Sequence, residues 1–209
     1  MEKWIGVENY KSTLLTSRAY DVQSASLYFT ALLQNSPVSV AFMDLDNFKK
    51  LNSKLTHLDA DEVLLCVGRM IRDAVSTETY CGKVVAGHIG GDEFMFTILG
   101  HDIVARDFMR SVLGHFEHLH PDFSKNEVHE KFQEFKEEHG FSASVGISAW
   151  KWDSDSSVER SATYVEKSKQ TKMALEENAR RANETLLIAK ENKTRRRGGN
   201  VLLWSELSK

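Results

Sequence analysis

The chain has 209 residues, 41% of them hydrophobic, which suits one well-filled core with embellishments and leaves no room for several. A formal net charge of −3 offers no basic field for DNA, and no apolar run approaches the roughly 20 residues of a membrane span. Cys66 and Cys81 make no ligand-like pair and the first residues lack a secretion pattern, so the expectation is a reduced, soluble, cytoplasmic protein.

Residues 1–36 read as an N-terminal helical segment, with Leu14, Leu15, Val22, Ala25, Leu32 and Leu33 as its apolar positions. Asn35-Ser36-Pro37 punctuates, and residues 37–209 form the main domain. Val38 to Asp44 is almost continuously apolar, as a strand buried on both faces must be. Asn47 to Leu55 predicts a short helix with Phe48 and Leu51 inward. Asp59 is placed as the N-cap of a helix reaching Val75, with Val63, Leu64, Val67, Met70 and Ile71 on one face and Cys66 as a small core residue. Two β-prone runs, Lys83–Ile89 and Met95–Leu99, flank Gly90-Gly91 and predict a hairpin whose paired glycines take positive φ.

Downstream, Asp102 opens a helix with Val104, Phe108, Val112, Leu113 and Phe116 at helical spacing, broken by Pro121. Val128, Phe132 and Phe135 mark another, ending near Gly140. Ser142–Ser148 alternates as a strand; Ser156 or Ser157 caps a long helix to Glu191, and Asn200–Trp204 is a last strand. The order predicts an α+β palm-like sandwich of the ferredoxin type, a central mixed sheet with helices on a face. His115, His118 and His120 cluster near a helix end, but no Cys or acidic partner completes a zinc spacing.

The chemistry concentrates in two acidic stretches. Asp44-Leu45-Asp46 ends the first strand, and Asp92-Glu93 follows the two glycines of the hairpin. Carboxylates from two strand ends of one sheet are a usual way to hold Mg²⁺ (or Mn²⁺) against phosphate oxygens. Asp46 has no specific assignment between structure and catalysis.

The set Asp44-Leu45-Asp46-Asn47-Phe48-Lys49-Lys50-Leu51-Asn52, then His57, Asp61 and Glu62, then Gly90-Gly91-Asp92-Glu93-Phe94, resembles the GGDEF family of diguanylate cyclases over about Val38–Leu99. The resemblance implies that two GTP condense to cyclic di-GMP across a homodimer, each subunit presenting one GTP. It assigns metal to Asp44, the Leu45 carbonyl and Asp92, and sets Glu93 beside the attacking hydroxyl as a further metal ligand or proton acceptor. It gives guanine recognition to Asn52 and Asp61, and phosphate contacts to the Phe48 amide, Lys49, Lys190 and one of Arg195, Arg196 or Arg197. The alternatives are a palm-type cyclic oligonucleotide synthase related to the CRISPR polymerase, or a non-catalytic GTP-binding module.

Departures from the family pattern are explicit. Thr13, Leu15 and Arg18 keep a remnant of the family's opening Asp-x-Leu-Thr-Gly-Leu-x-Asn-Arg segment, whereas Tyr10, Leu14 and Ser17 replace its aspartate, glycine and asparagine. His88 stands where arginine is common, and Thr56 and Ala60 replace two glycines. Cys81 and Val84 occupy the two charged positions of the Arg-x-x-Asp product-inhibition site, so that site is expected to be missing.

Overall fold

The strand Val38–Leu45 (β2) sits in the middle of the molecule because both of its faces are apolar. Val38 and Val40 pack into one buried cluster and Ala41, Met43 and Leu45 into another. The computed structural model describes residues 7–152, 164–192 and 201–207. Around β2 lie β1 (Leu15–Thr16), β3 (Val84–Gly90), β4 (Glu93–Leu99), β5 (Ala143–Trp150) and β6 (Val201–Leu203), in the sheet order β1-β3-β4-β2-β5-β6. The four central strands pair antiparallel. The two short outer strands pair parallel to β3 and β5. This is the mixed sheet of an α+β palm-like fold.

Helices cover both faces, not the single face expected from element order. On one side, α3 (His57–Val75) and α4 (Asp102–Gly114) pack with α2 (Phe48–Lys54) and α5 (Asn126–His139) around the larger cluster. On the other, α1 (Ser17–Leu33) and the long α6 (Tyr164–Asn192) lie against the sheet. The small side chains Ala174, Ala182 and Ala189 let α6 approach closely. At Gly146 of β5 the contact is closest: a Cβ there would lie 2.2 Å from the Ala182 carbonyl oxygen and 2.1 Å from the Leu186 nitrogen. No helix among the described residues is long and apolar enough to cross a membrane.

Several local expectations change. The α1 face turned inward carries Tyr20, Ser24, Leu27, Tyr28 and Ala31, while Val22 and Leu33 are exposed. Its tyrosines bury their rings and satisfy their hydroxyls: Tyr20 Oη meets Thr97 Oγ1 at 2.8 Å, and Asn178 Nδ2 donates to Tyr28 Oη at 2.7 Å. Val104 likewise faces outward on α4, where Ala105, Phe108, Met109 and Val112 are buried, and Phe116 falls in a separate 3₁₀ turn. The α3 cap is Thr56, not Asp59. Asp59 N–H donates to Thr56 Oγ1 (3.2 Å), an N-cap worth about 1 kcal/mol, and the Thr56 hydroxyl donates back to Asp59 Oδ2 (2.6 Å). Cys66 is only half-buried at the rim of the core. The expected cap at Ser156 or Ser157 lies outside the described residues.

Candidate active site

Backbone register brings the two acidic stretches together. Asp44 pairs directly with Glu93 across β2 and β4, and Leu45 N–H donates to the Asp92 carbonyl at 3.1 Å. The hairpin needs only one left-handed glycine: Gly91 has φ +57°, whereas Gly90 pairs with Glu93 after a bulge at residue 89. Asp44 is buried, Asp92 half-buried and Glu93 exposed, so the carboxylates grade from core to solvent.

Lys190, in the last turn of α6, reaches Asp44 Oδ2 at 2.6 Å. Burial pushes the Asp44 carboxyl above its usual range. The Lys190 hydrogen bond opposes that shift, and Asp92 and Glu93 add to it. Among the described residues no three His, Cys, Asp or Glu side chains converge as a ready metal cage. The donor set nevertheless suits a hard divalent cation, because it offers carboxylate and carbonyl oxygens and already attracts one positive charge, the Lys190 ammonium.

Asp46 is held by two serines. Ser142 Oγ donates to its Oδ2 (2.7 Å) and Ser144 Oγ to its Oδ1 (2.9 Å), so it clamps β5 to the end of β2. The chain then reverses at Asn47, φ +60°, into α2. Phe48 is buried beneath that turn, and Lys49 is exposed beside it.

A cavity of about 270 Å³ opens next to the glycine turn, with Asn52, His57, Ala60, Asp61 and Leu64 in its walls. His57 Nδ1–H donates to Asn52 Oδ1 at 2.9 Å, which leaves the Asn52 amide as a donor. Asp61 is already paired: Lys11 Nζ lies 2.8 Å from its Oδ1. Sequence reasoning did not single out Lys11. Nothing in its local pattern marks it, since it approaches from fifty residues away along the chain.

His88 also lines the cavity, and it is buried. Its ring stacks on Phe94 with centroids 4.7 Å apart. Nε2 meets the Gly91 carbonyl at 2.9 Å, and a carbonyl only accepts, so Nε2 carries the proton. Nδ1 then accepts from the Ser12 hydroxyl at 3.0 Å, while Ser12 Oγ accepts from Leu14 N–H. Burial lowers the His88 pKa and keeps the ring neutral. His88 thus fastens the glycine turn to the chain ahead of β1 by neutral hydrogen bonds.

The chain matches the family described as "Diguanylate cyclase, GGDEF domain" over residues 12–174. It belongs to the GGDEF family. It is 32% identical over 91 residues to a diguanylate cyclase of Vibrio cholerae, covering 44% of this chain and 27% of that protein. It is 34% identical over 85 residues to diguanylate cyclase DgcP of Escherichia coli, covering 41% of this chain and 24% of that protein. The matched stretches thus amount to about a quarter of the length of these relatives. The GGDEF domain of DgcB from Caulobacter crescentus, solved in complex with c-di-GMP, superposes with a TM-score of 0.68 at 15% identity, covering 98% of this chain and 99% of that one. That likeness bears on the fold, and the α+β palm-like architecture agrees with it.

Within this GGDEF domain, the remaining family positions fall as follows. Cys81 is exposed in the turn before β3 and Val84 is buried in β3, so neither of the two Arg-x-x-Asp positions carries a charge. His115, His118 and His120 are exposed around a separate cavity between α3 and α4. Arg195, Arg196 and Arg197 lie outside the described residues.

Proposed function

We propose that this domain is a diguanylate cyclase that condenses two GTP into cyclic di-GMP and two pyrophosphates. The observation that carries the reading is the register of β2 against β4, which sets Asp44 opposite Glu93 and the Asp92 backbone against Leu45. Carboxylates fixed on strands can hold Mg²⁺ or Mn²⁺ without reorganising, and such an ion supplies charge screening for the triphosphate and acidification of the attacking 3′-hydroxyl.

The residues around it take complementary roles. Asp44, the Leu45 carbonyl and Asp92 hold the metal. Glu93, exposed at the head of β4, accepts the hydroxyl proton or adds a ligand. The Phe48 amide and Lys49 bind phosphate at the start of α2. Lys190 leaves Asp44 and binds the terminal phosphate, with one of Arg195, Arg196 or Arg197 as its companion. Asn52 and Asp61 receive guanine in the adjoining cavity. Because the product contains two nucleotides and the described residues place one such cavity beside the carboxylates, two copies face each other as a homodimer.

The test is product identification. The purified protein is incubated with GTP, ATP, CTP or UTP and Mg²⁺, and products are weighed by mass spectrometry. Cyclic di-GMP from GTP alone is expected. A longer cyclic or linear oligonucleotide would replace the reading with the synthase alternative, and no product with any nucleotide would leave a binding module.

A further inference from the structure

We infer that Lys11 is a specificity-determining residue that reads the O6 atom of guanine alongside Asp61. The inference rests on the proposed GTP site and assigns to it a contact that the family motif does not contain.

The loop that carries Lys11 is built rather than loose. Lys11 N–H donates to Asn9 Oδ1 at 2.9 Å, and Thr13 N–H donates to the Asn9 carbonyl at 2.7 Å. Thr13 has φ +61°, and its carbonyl accepts from the Arg72 guanidinium. Gly68 of α3 lets the loop lie flat on the helix: a Cβ there would come within 1.8 Å of the Ser12 carbonyl oxygen. Next to Lys11, Ser12 is held by His88. Lys11 is therefore presented to the cavity from a backbone fixed on both sides.

What it presents is an ammonium against a carboxylate. Lys11 Nζ engages Asp61 Oδ1 and lies 5.7 Å from the Tyr10 ring centroid, and Lys11, Asp61 and Tyr10 all line the cavity, so a ligand there meets an ammonium held beside a carboxylate. The Watson–Crick edge of guanine offers an acceptor, O6, beside a donor, N1–H. Ammonium to O6 and carboxylate to N1–H satisfy both atoms at once. Adenine offers the reverse, an amino donor beside the acceptor N1, and would set donor against donor and acceptor against acceptor. A site built this way rejects the mismatched base by leaving its own charges unpaired. The carboxylate alone answers only the donor half of guanine.

An ordinary half-exposed salt bridge is indifferent to the base beside it, whereas a reading pair is not. Nucleotide analogues separate the two. Calorimetric titrations with GDP, 6-thio-GDP and ADP in the presence of Mg²⁺ use ligands that carry base and phosphates but cannot cyclise. Sulfur is a weak acceptor, so 6-thio-GDP reports the O6 contact alone. In the unmodified protein GDP should bind more tightly than either analogue. Lys11→Met should abolish the gap between GDP and 6-thio-GDP and narrow the gap between GDP and ADP by roughly tenfold. Lys11→Arg should restore both gaps at least in part. Melting temperatures should match, because Lys11 is partly exposed and buries no core surface. Ratios in Lys11→Met equal to those of the unmodified protein would overturn the inference while leaving the guanine site standing. Equal GDP and ADP affinity in the unmodified protein would overturn the guanine reading itself.

Discussion

Asp92 occupies the second loop position of the hairpin, half-exposed, with its backbone carbonyl taken by Leu45. On the proposed reading its side chain contributes chemistry and little packing. Asp92→Ala should therefore lower cyclic di-GMP formation by at least about a hundredfold while changing stability by less than about 0.5 kcal/mol. Both quantities can be read on one preparation, by product assay and thermal melt, and retained activity would remove Asp92 from the metal site. His88 behaves oppositely, because its contribution is structural. Its folded pKa is depressed below the ordinary value near 6.5, so between those two pKa values the unfolded chain binds a proton that the folded chain refuses. Stability from this residue is present above about pH 6.5 and is lost as pH falls through the folded value. Lys11 reinforces the depression, whereas Asp61 and Asp92 and the Gly91 carbonyl oppose it. Denaturant unfolding at pH 7.5 and pH 5.5 should show the loss, and His88→Gln should flatten it; an unchanged slope would mean that other groups carry the pH dependence.

At the scale of elements, α6 links the sheet to the site. Its last turn places Lys190 on Asp44, so under the proposed function the ammonium and the divalent cation would compete for one carboxylate. Lys190→Met should let Mn²⁺ bind the nucleotide-free protein more tightly, by about 1 kcal/mol or roughly fivefold, and should weaken GTP binding. Metal titration without nucleotide measures the first effect, and an unaltered Mn²⁺ affinity would show that the pair does not guard the site. The same helix depends on Gly146 for its approach to β5. Gly146→Ala should cost at least about 3 kcal/mol, since the new methyl meets backbone atoms that cannot step aside. Gly114→Ala, at the open end of α4 where a Cβ meets nothing, should be neutral or stabilising by about 0.5 kcal/mol. Denaturation midpoints of the two variants compare them directly.

Across the whole molecule, what could be read from sequence followed the strength of local pattern. The strand β2, the hairpin and the acidic pair were legible because continuous apolar runs and paired glycines leave few alternatives. The inner face of α1 was not, because Tyr20, Ser24 and Tyr28 bury themselves through hydroxyl partners on β4 and α6 that periodicity cannot reveal. The capping role of Thr56 was hidden behind its comparison with a family glycine. Lys11 and Ser12 escaped notice for a third reason, since their roles exist only once Gly68 has brought their loop onto α3. The outer strands carry a further consequence. β1 and β6 contribute only two and three residues, yet each lies on an open side of the sheet. Val201–Leu203 covers Val145–Ile147, whose backbone would otherwise present free amides and carbonyls on an apolar ribbon. Unpaired strands of that kind template the addition of another chain, and short edge strands are a common defence against it. A chain cut before Val201 would lose that cover and gain a tendency to join edge to edge, so three residues at the margin help keep the protein from aggregating.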